Sequence, residues 1–305
     1  MQKRFHESVL IASLLAPAFL FTMGCSSAQS LTVRDVVVEP AQFSTATENT
    51  IVLDARDALM YAAGHVHGAV RIDPRAWMQA SLATDGGIEN TRIWSDRIGE
   101  LGIDESTIVR IYDDGNMKDA ARIWFILQHF GVRNSSVVNG GWPALNDEAA
   151  KGRIRASNTA TMPTRRPFTA RISNDAPVGL KDRESVRESV ARGSAQVLDA
   201  RTIEEYRGQI IHKNPRGGHL PGAKSLPHAD LLDAGGRLRS ASELAAIFEK
   251  SGFKKGEPII THCESGGRAS LAALAAVRAG YGPVSNYYRS FTDWSRDAAC
   301  PVVKE

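Results

Sequence analysis

Four short apolar runs stand out along the chain, and they form two pairs. TIVLDA (residues 50–55) and AQVLDA (residues 195–200) make the first pair, and TIVRIY (residues 107–112) and PIITHC (residues 258–263) make the second. Continuous apolar runs rich in β-branched residues are typical of strands buried on both faces of a parallel sheet. The pattern therefore predicts buried strands in each half of the chain.

A glycine-containing turn and an apolar segment follow each strand of the second pair. We predict helices over residues 120–130 and 270–279 in these segments. Strand and helix signals that alternate along a chain indicate helices that cover a mostly parallel sheet. The predicted fold class is therefore α/β.

The two halves of the chain repeat each other. VLDAR occurs at residues 52–56 and again at residues 197–201, and the turns GHVHGA and GHLPGA follow at residues 64–69 and 218–223. A longer block that begins STIVRIYDDG parallels one that begins EPIITHCESG, about 150 residues later. Two separated matches at a similar offset predict a duplicated domain.

The repeat and the composition between its copies predict the domain boundaries. We expect a signal peptide over residues 1–24, a tether over 25–34, a first domain over 35–150, a linker over 151–180 and a second domain over 181–305. The linker is polar and contains prolines, which is typical of a segment that wraps from one domain to the next.

The N-terminal residues resemble an export signal. Lys3 and Arg4 precede an apolar stretch over residues 9–23, which is shorter than the roughly 20 apolar residues of a membrane-spanning helix. Gly24-Cys25 resembles the bacterial lipobox, whose cysteine is lipidated and becomes the new N-terminus. We therefore expect an exported, periplasmic lipoprotein anchored to the membrane through Cys25. A cleaved secreted protein and an uncleaved anchor are the alternatives.

Composition and charge narrow the list of partners. The chain has 305 residues, of which 43% are apolar and 23% charged, so it has room for about two globular domains. Its net charge is only +3, and the sequence contains no basic block. These features argue against nucleic acid as a partner.

The cysteines leave two interpretations open. If Cys25 is lipidated, Cys263 and Cys300 remain, and in an exported protein they could pair as a disulfide. Alternatively, Cys263 is a nucleophile, because it ends a strand and precedes a turn and a helix, where ligand sites of α/β sheets lie. Backbone N–H groups and a helix N-terminus favour a thiolate and bind anions. The loop residues that follow the cysteine are Glu264, Ser265, Gly266, Gly267 and Arg268.

The loop CESGGR resembles the active-site loop of the rhodaneses, which are sulfurtransferases that carry sulfur as a cysteine persulfide. Cysteine phosphatases place one more residue between their cysteine and arginine. The segments VLDAR, EYRG, GGHLPGAKSLP, CESGGRAS and YYRSFTDW follow one another in the order seen in rhodanese domains. In the first copy, VLDAR, GHVHGA, YDDG and NGGW resemble the inactive N-terminal domain of tandem rhodaneses.

The resemblance implies two tandem rhodanese-like domains, of which the second is catalytic. It implies that Cys263 takes sulfur from a small-molecule donor as a persulfide and passes it to a thiophilic acceptor such as cyanide or a thiol. It calls for no metal and no organic cofactor. In the first copy Asp113 and Asp114 occupy the place of the cysteine loop, and a carboxylate cannot accept sulfane sulfur. A structural role is therefore expected there, with a regulatory ligand site as the alternative.

The donor-binding features of the family are matched only in part. The loop residue Glu264 works against a dianionic donor, whereas Ser265 and Gly266 match the end of the mercaptopyruvate-type loop. Arg216 matches the second substrate arginine of the mercaptopyruvate enzymes, but Glu205 stands where the first would be. We expect thiosulfate as the donor, with 3-mercaptopyruvate or another sulfane compound as alternatives.

Two alternatives lie outside catalysis. The chain could carry a persulfide without turnover, or be an inert disulfide-bonded scaffold.

Several polar residues are predicted to have structural roles. His65 and His219 are predicted to hydrogen-bond backbone in their turns, and His262 to pack in the core. Asp199 and Arg201 are predicted to pair at the end of the sheet, with Arg201 in contact with substrate as the alternative.

Overall fold

The computed structural model describes residue 1, residues 36–43 and residues 49–304. Apart from Met1, the predicted signal peptide and tether lie outside the described residues, and so does Cys25. Among the helices that the structure describes, none is long and apolar enough to cross a membrane.

The first half of the described chain forms a parallel sheet flanked by helices. Its elements are β1 (Val37–Val38), β2 (Thr50–Asp54), α1 (Ala58–Ala63), β3 (His65–Val66), β4 (Val70–Arg71), α2 (Pro74–Leu82), α3 (Thr91–Glu100), β5 (Ile108–Tyr112), α4 (Lys118–His129), β6 (Ser135–Val138), α5 (Gly141–Ala150) and β7 (Ala156–Ser157), with 3-10 helices at Pro40–Gln42 and Gly87–Glu89. Five strands form a sheet in the order β1-β6-β5-β2-β4, and each neighbouring pair is parallel.

The second half forms a second sheet of the same kind. Its elements are β8 (Val178–Leu180), α6 (Arg183–Arg192), β9 (Gln196–Asp199), α7 (Ile203–Tyr206), β10 (Lys224–Ser225), α8 (Ala241–Lys250), β11 (Ile259–His262), α9 (Gly267–Arg278), β12 (Val284–Asn286) and α10 (Ser290–Trp294), with a 3-10 helix at His228–Leu231. The sheet order is β8-β12-β11-β9-β10, again with parallel neighbours.

The two sheets have one topology. Strands β1, β6, β5, β2 and β4 correspond in position to β8, β12, β11, β9 and β10. Because both sheets are parallel and covered by helices, the predicted α/β class with a duplicated domain is confirmed.

Helices α4 and α9 begin two to three residues before the predicted segments. Each is preceded by a residue in the left-handed region, Met117 with φ 62° and Gly266 with φ 93°. This conformation turns the chain so that it enters the helix at once. The sequence interpretation placed the turn slightly too far along the chain.

Helices α4 and α9 pack against each other and join the two domains. A single cluster of buried apolar residues contains side chains from both halves. At its centre Phe125 of α4 stacks on Tyr288, with ring centroids 5.5 Å apart and an interplanar angle of 17°. The domains therefore share a core, and the end of β11 faces the first domain.

The predicted linker is bound to both domains. Strand β7 pairs antiparallel with β3 of the first domain, and further along Phe168 and Ala170 are buried in the shared core. The last three residues of the predicted linker form β8, the edge strand of the second sheet. The linker is thus shorter than the predicted range of residues 151–180.

Candidate active site

Cys263 lies directly after β11, at the carboxyl end of the second parallel sheet. Its side chain is 1% exposed. The backbone N–H of Gly266 donates to Sγ at 3.1 Å, and the N–H of Cys263 itself donates to Ser290 Oγ at 3.1 Å. The sulfur is therefore held inside its own loop, next to the start of α9.

The turn between Cys263 and α9 depends on Gly266. Its φ of 93° lies in the left-handed region, and a Cβ there would come within 2.7 Å of the Tyr288 carbonyl oxygen. Opposite the turn, the N–H groups of Phe291 and Thr292 donate to the carbonyls of Cys263 and Glu264. A residue with a side chain at position 266 would force this turn apart.

Arg268 holds the loop against α7 through Glu205. Nη1 and Nη2 donate to the two carboxylate oxygens at 2.6 and 2.8 Å. Burial by itself would raise the pKa of Glu205, but Arg268 outweighs it and lowers the pKa to about 2. His212 lies 3.2 Å from the same carboxylate. The charge of Arg268 is therefore compensated within the protein.

The carboxylate of Glu264 is bound by Asn214 and Thr292 at the edge of the cysteine loop. Oε1 accepts from Asn214 Nδ2 at 2.9 Å and from Thr292 Oγ1 at 3.1 Å. Oε2 is buried and has no hydrogen-bond partner in the described chain. These contacts orient a loop residue that the sequence interpretation judged unfavourable for an anionic donor.

A cavity of about 1240 Å³ opens above Cys263 between the two domains. Lysines and arginines outnumber carboxylates among its described lining residues, seven to five. The basic ones are Arg56, Arg75, Lys118, Arg122, Lys213, Arg268 and Arg296, and the acidic ones are Asp57, Asp114, Asp119, Glu205 and Glu264. Arg56 pairs with Asp54 outside the lining, so the cavity beside Cys263 carries a small excess of positive charge, which favours an anionic ligand.

Arg122 of α4 is a site residue that the sequence interpretation missed. Its Nη1 donates to the Ser265 carbonyl at 2.7 Å and to the Tyr288 hydroxyl at 2.9 Å. The first domain thus touches the cysteine loop directly. The sequence signal that could have identified it is an arginine inside the apolar run DAARIWFIL. Arginine is rarely buried unless it has a partner, so its place in this run indicates a specific contact.

The corresponding loop of the first domain is filled by Asp113. Its carboxylate accepts backbone N–H groups of Gly115, Met117, Asp119 and Ala120 at 3.0–3.2 Å. Burial raises the pKa of Asp113 to about 6. The carboxylate takes the N–H donors that a bound anion would need, which agrees with the structural role predicted for this copy.

Arg216 and Arg201 lie away from the cavity lining, so the structure does not support their predicted contact with substrate. Arg216 donates to the backbone carbonyls of four residues near the C-terminus, namely Trp294, Ser295, Asp297 and Cys300. Arg201 pairs with Asp199 at 2.6 Å and donates to the Gly218 carbonyl at 2.7 Å. Both guanidinium groups are committed to holding the fold.

Three histidines outside the cavity lining, namely His65, His219 and His262, have structural surroundings. His65 and His219 stack on Tyr61 and Tyr206 with centroids 3.7 Å apart, and each bonds a backbone carbonyl through Nδ1. His262 is fully buried beside the sheet end, and this burial lowers its pKa to about 4. It is therefore a neutral core residue at neutral pH.

Cys300 is not joined to Cys263. Both are free, buried thiols. Cys300 packs in a separate apolar cluster with Tyr287 and Trp294, on the other side of the sheet from the shared core that contains Cys263. Burial raises the pKa of Cys300.

Comparison with known proteins identifies the repeated unit. The sequence profile of the rhodanese-like domain matches residues 40–148 and residues 182–297. The chain is 28% identical over 251 residues to the 3-mercaptopyruvate sulfurtransferase of Escherichia coli strain K12, covering 82% of this chain and 86% of that protein. It is 29% identical over 270 residues to the thiosulfate sulfurtransferase of Azotobacter vinelandii, covering 88% and 96%.

Two further similarities widen the comparison. The chain is 28% identical over 270 residues to the sulfur carrier protein TtuD of Thermus thermophilus, covering 81% of this chain and 88% of that one. Among solved structures, the anaerobic ergothioneine biosynthesis enzyme of Chlorobium limicola superposes with a TM-score of 0.76 at 21% identity, covering 88% and 70%. The structural match supports the fold, and the two profile matches span both halves. The chain belongs to the rhodanese family and contains two copies of its domain.

Proposed function

We propose that this protein is a sulfurtransferase that moves sulfane sulfur from thiosulfate to a thiophilic acceptor through a persulfide on Cys263. One observation carries the proposal: Sγ of Cys263 sits in a loop whose Gly266 N–H donates to it at 3.1 Å, at the base of a cationic cavity. The sulfurtransferase relatives support the reaction class.

The reaction consists of two sulfur transfers. The Cys263 thiolate attacks the outer sulfur of thiosulfate, an S–S bond forms at Cys263, the S–S bond of thiosulfate breaks, and sulfite leaves with the electron pair. Cyanide or a thiolate then attacks the outer sulfur of the persulfide and regenerates the Cys263 thiolate. Backbone N–H groups of the loop stabilise the negative charge of the persulfide between the steps.

The position of Arg216 weakens the case for 3-mercaptopyruvate, and we keep thiosulfate as the proposed donor. The mercaptopyruvate interpretation relied on Arg216 as a substrate arginine, and Arg216 is instead bound to backbone carbonyls. The mercaptopyruvate alternative retains the Ser265-Gly266 match and the Escherichia coli relative. With that donor the carbon–sulfur bond breaks, and pyruvate leaves as its enolate and takes up a proton.

Thiocyanate formation from cyanide tests the function. We expect thiosulfate to give a higher kcat/KM than 3-mercaptopyruvate, and Cys263→Ser to abolish both reactions because a hydroxyl oxygen cannot form the persulfide. Cys300→Ser is the matched control and should retain activity. Undiminished transfer by the purified Cys263→Ser protein would refute the mechanism, and a preference for 3-mercaptopyruvate would reverse the donor assignment.

A persulfide carrier is the alternative in another class, in line with the relative TtuD. Such a protein would take up one sulfur atom per Cys263 and release no thiocyanate catalytically. Intact-mass measurement after incubation with thiosulfate shows the added sulfur, and repeated turnover with cyanide separates the enzyme from the carrier.

We further propose that the protein is exported and anchored through lipid on Cys25. The proposal rests on the charged start, the apolar stretch and Gly24-Cys25. A single acyl chain binds membranes only marginally, so stable anchoring needs the several chains of a bacterial lipoprotein. Mass spectrometry of the mature protein should find a lipidated Cys25 at its N-terminus, and Cys25→Ala should release the protein from membranes. An unmodified N-terminus elsewhere would refute the proposal.

A further inference from the structure

Two guanidinium groups lie at the cysteine loop, and only one forms a direct ion pair with a carboxylate; Asp119 acts on Arg122 electrostatically without a direct contact. Arg268 forms a bidentate pair with Glu205. Arg122 is 5% exposed and donates to neutral oxygens, the Ser265 carbonyl and the Tyr288 hydroxyl. No ion pair joins Arg122 to a carboxylate in the part of the chain that the structure describes. Such a buried cation is costly unless an anion comes to it.

The Nε–Nη2 edge of the Arg122 guanidinium makes no hydrogen bond in the described chain. Both hydrogen bonds of Arg122 use Nη1, and Nε is buried without a partner in the described chain. The same Nε–Nη2 edge in Arg201 binds the carboxylate of Asp199 in a bidentate pair. This edge of Arg122 therefore has the geometry that binds the oxygens of a carboxylate or a sulfonate.

The Nε–Nη2 edge of Arg122 lies against Gly267 at the start of α9. Nη2 of Arg122 is 2.7 Å from the position that a Cβ on Gly267 would occupy. Arg122, Gly267 and Cys263 line the same cavity. The guanidinium and the N-terminal N–H groups of a 12-residue helix thus converge beside the nucleophile, where an anion is stabilised by both.

A hydrogen-bond chain fixes this arrangement. Arg122 can only donate, so the Tyr288 hydroxyl accepts from it, and that hydroxyl lies 2.7 Å from Ser81 Oγ, which donates to the Met78 carbonyl. Ser81 belongs to α2 of the first domain. The arginine is therefore oriented before any ligand arrives.

We propose that Arg122, supplied by the domain without a nucleophile, is the anion-binding residue for the sulfur donor. It binds the sulfonate oxygens of thiosulfate, or the carboxylate of a mercapto acid, through Nη2 at the cavity end of its Nε–Nη2 edge. This inference rests on the proposed sulfurtransferase function and adds the residue that binds the donor. It also gives the first domain a direct part in the reaction.

Equilibrium binding tests the inference without turnover. In a Cys263→Ser background, calorimetric titration with thiosulfate, and separately with 3-mercaptopyruvate, measures donor affinity. We expect Arg122→Gln to raise the Kd about 10- to 100-fold, the range for a lost charge-assisted hydrogen bond, while its amide can still donate to the Ser265 carbonyl. Arg122→Lys keeps the charge and should recover part of the affinity. An unchanged Kd in Arg122→Gln would overturn the inference.

Steady-state kinetics separates donor binding from support of the loop. In the Cys263 enzyme, Arg122→Gln should raise the KM for the donor and leave kcat within about threefold, the signature of lost ground-state binding. A fall in kcat with unchanged KM would assign Arg122 to loop structure and overturn the inference. The control Arg165→Gln removes a surface charge that pairs with Asp96, outside the cavity lining, and should change neither constant.

A second variant and the comparison of activity with binding keep the test decisive. If Arg122→Gln fails to fold, Tyr288→Phe keeps the charge and removes the hydroxyl that orients it; we expect a Kd increase of about three- to tenfold, and an unchanged Kd would count against the inference. If no donor yields thiocyanate but donor binding still depends on Arg122, the proposed function fails and the anion site stands. If thiocyanate forms and donor binding is independent of Arg122, the proposed function stands and the Arg122 anion site is refuted.

Discussion

Glu205 and Arg268 form the ion pair that anchors the cysteine loop to α7. The Glu205 side chain is 3% exposed and that of Arg268 18% exposed, so the pair is shielded from water. The pair also explains why position 205 is a glutamate, although the mercaptopyruvate enzymes have a substrate arginine at the matching position. It compensates the loop arginine, and Arg122 is left as the buried cation at the loop that has no direct ion pair with a carboxylate.

Removing the carboxylate should destabilise the protein. We expect Glu205→Ala to lower the free energy of unfolding by about 2–4 kcal/mol, because Arg268 is left buried without its partner. Urea denaturation at neutral pH measures the change. Glu204→Ala, at an exposed neighbouring position of α7, is the matched control and should cost less than about 0.5 kcal/mol. Equal losses in the two variants would contradict this assignment.

The same pair should make stability depend on pH. The pKa of Glu205 is about 2 in the folded protein, below its usual value of 4.5. A lowered pKa means that the folded state binds fewer protons, so the stabilisation is full above about pH 4.5 and is lost as the pH falls towards about 2. The wild type should therefore lose stability more steeply across this range than Glu205→Gln. Parallel pH profiles would contradict the prediction.

At the scale of elements, the β11–turn–α9 unit positions Cys263, the proposed nucleophile. The strand brings Cys263 to the sheet end, Gly266 turns the chain in the left-handed region, and the helix begins one residue later. The first copy has the same unit, with Asp113 in place of the cysteine and with the loop N–H groups bound to its carboxylate. The same unit thus surrounds a cysteine thiol in the second copy and a carboxylate in the first.

A substitution at the turn tests its role. Gly266→Ala should reduce kcat/KM for sulfur transfer by more than about tenfold and cost about 2–4 kcal/mol, because its Cβ would collide with the Tyr288 carbonyl. Gly256 has a similar φ of 80° with nothing within 4 Å of an added Cβ. Gly256→Ala should therefore cost only about 1 kcal/mol and leave activity intact. Thiocyanate assays and urea denaturation compare the two, and full activity in Gly266→Ala would be inconsistent with this role.

At the scale of the whole molecule, the two domains share one core. Phe125 from the first domain stacks on Tyr288 from the second, and both are 0% exposed. Separation of the domains would expose this surface to water. The same interface places Arg122 at the cysteine loop, so stability and the composition of the site depend on one contact.

The shared core predicts cooperative unfolding. Scanning calorimetry should show a single transition for both domains, with matching calorimetric and van't Hoff enthalpies. Phe125→Ala should lower stability by about 3–5 kcal/mol and also reduce activity, because Tyr288 supports the turn at Gly266. Leu59→Ala, at a side chain 84% exposed, should change neither. Two separate transitions in the wild type would show that the domains unfold independently.

The sequence by itself determined the elements of the fold, and it also identified Cys263 as the candidate nucleophile. The strands, the duplication and the cysteine loop are local patterns: β-branched runs, a repeated VLDAR and a cysteine followed by two glycines and an arginine. Such patterns depend on neighbours along the chain, so they can be interpreted without coordinates. The aspartates in the first copy identified its missing nucleophile for the same reason.

Only the tertiary structure decided which charged side chains surround Cys263. Arg216 matched a substrate arginine by position in the sequence, yet its guanidinium binds backbone carbonyls near the C-terminus. Arg122 is 143 residues away from Ser265 in the chain, yet it contacts the loop. A long side chain such as that of arginine can extend in several directions from one backbone position. The packing of α4 on α9 fixes the direction that Arg122 takes. That packing depends on contacts between distant segments, which no local pattern specifies.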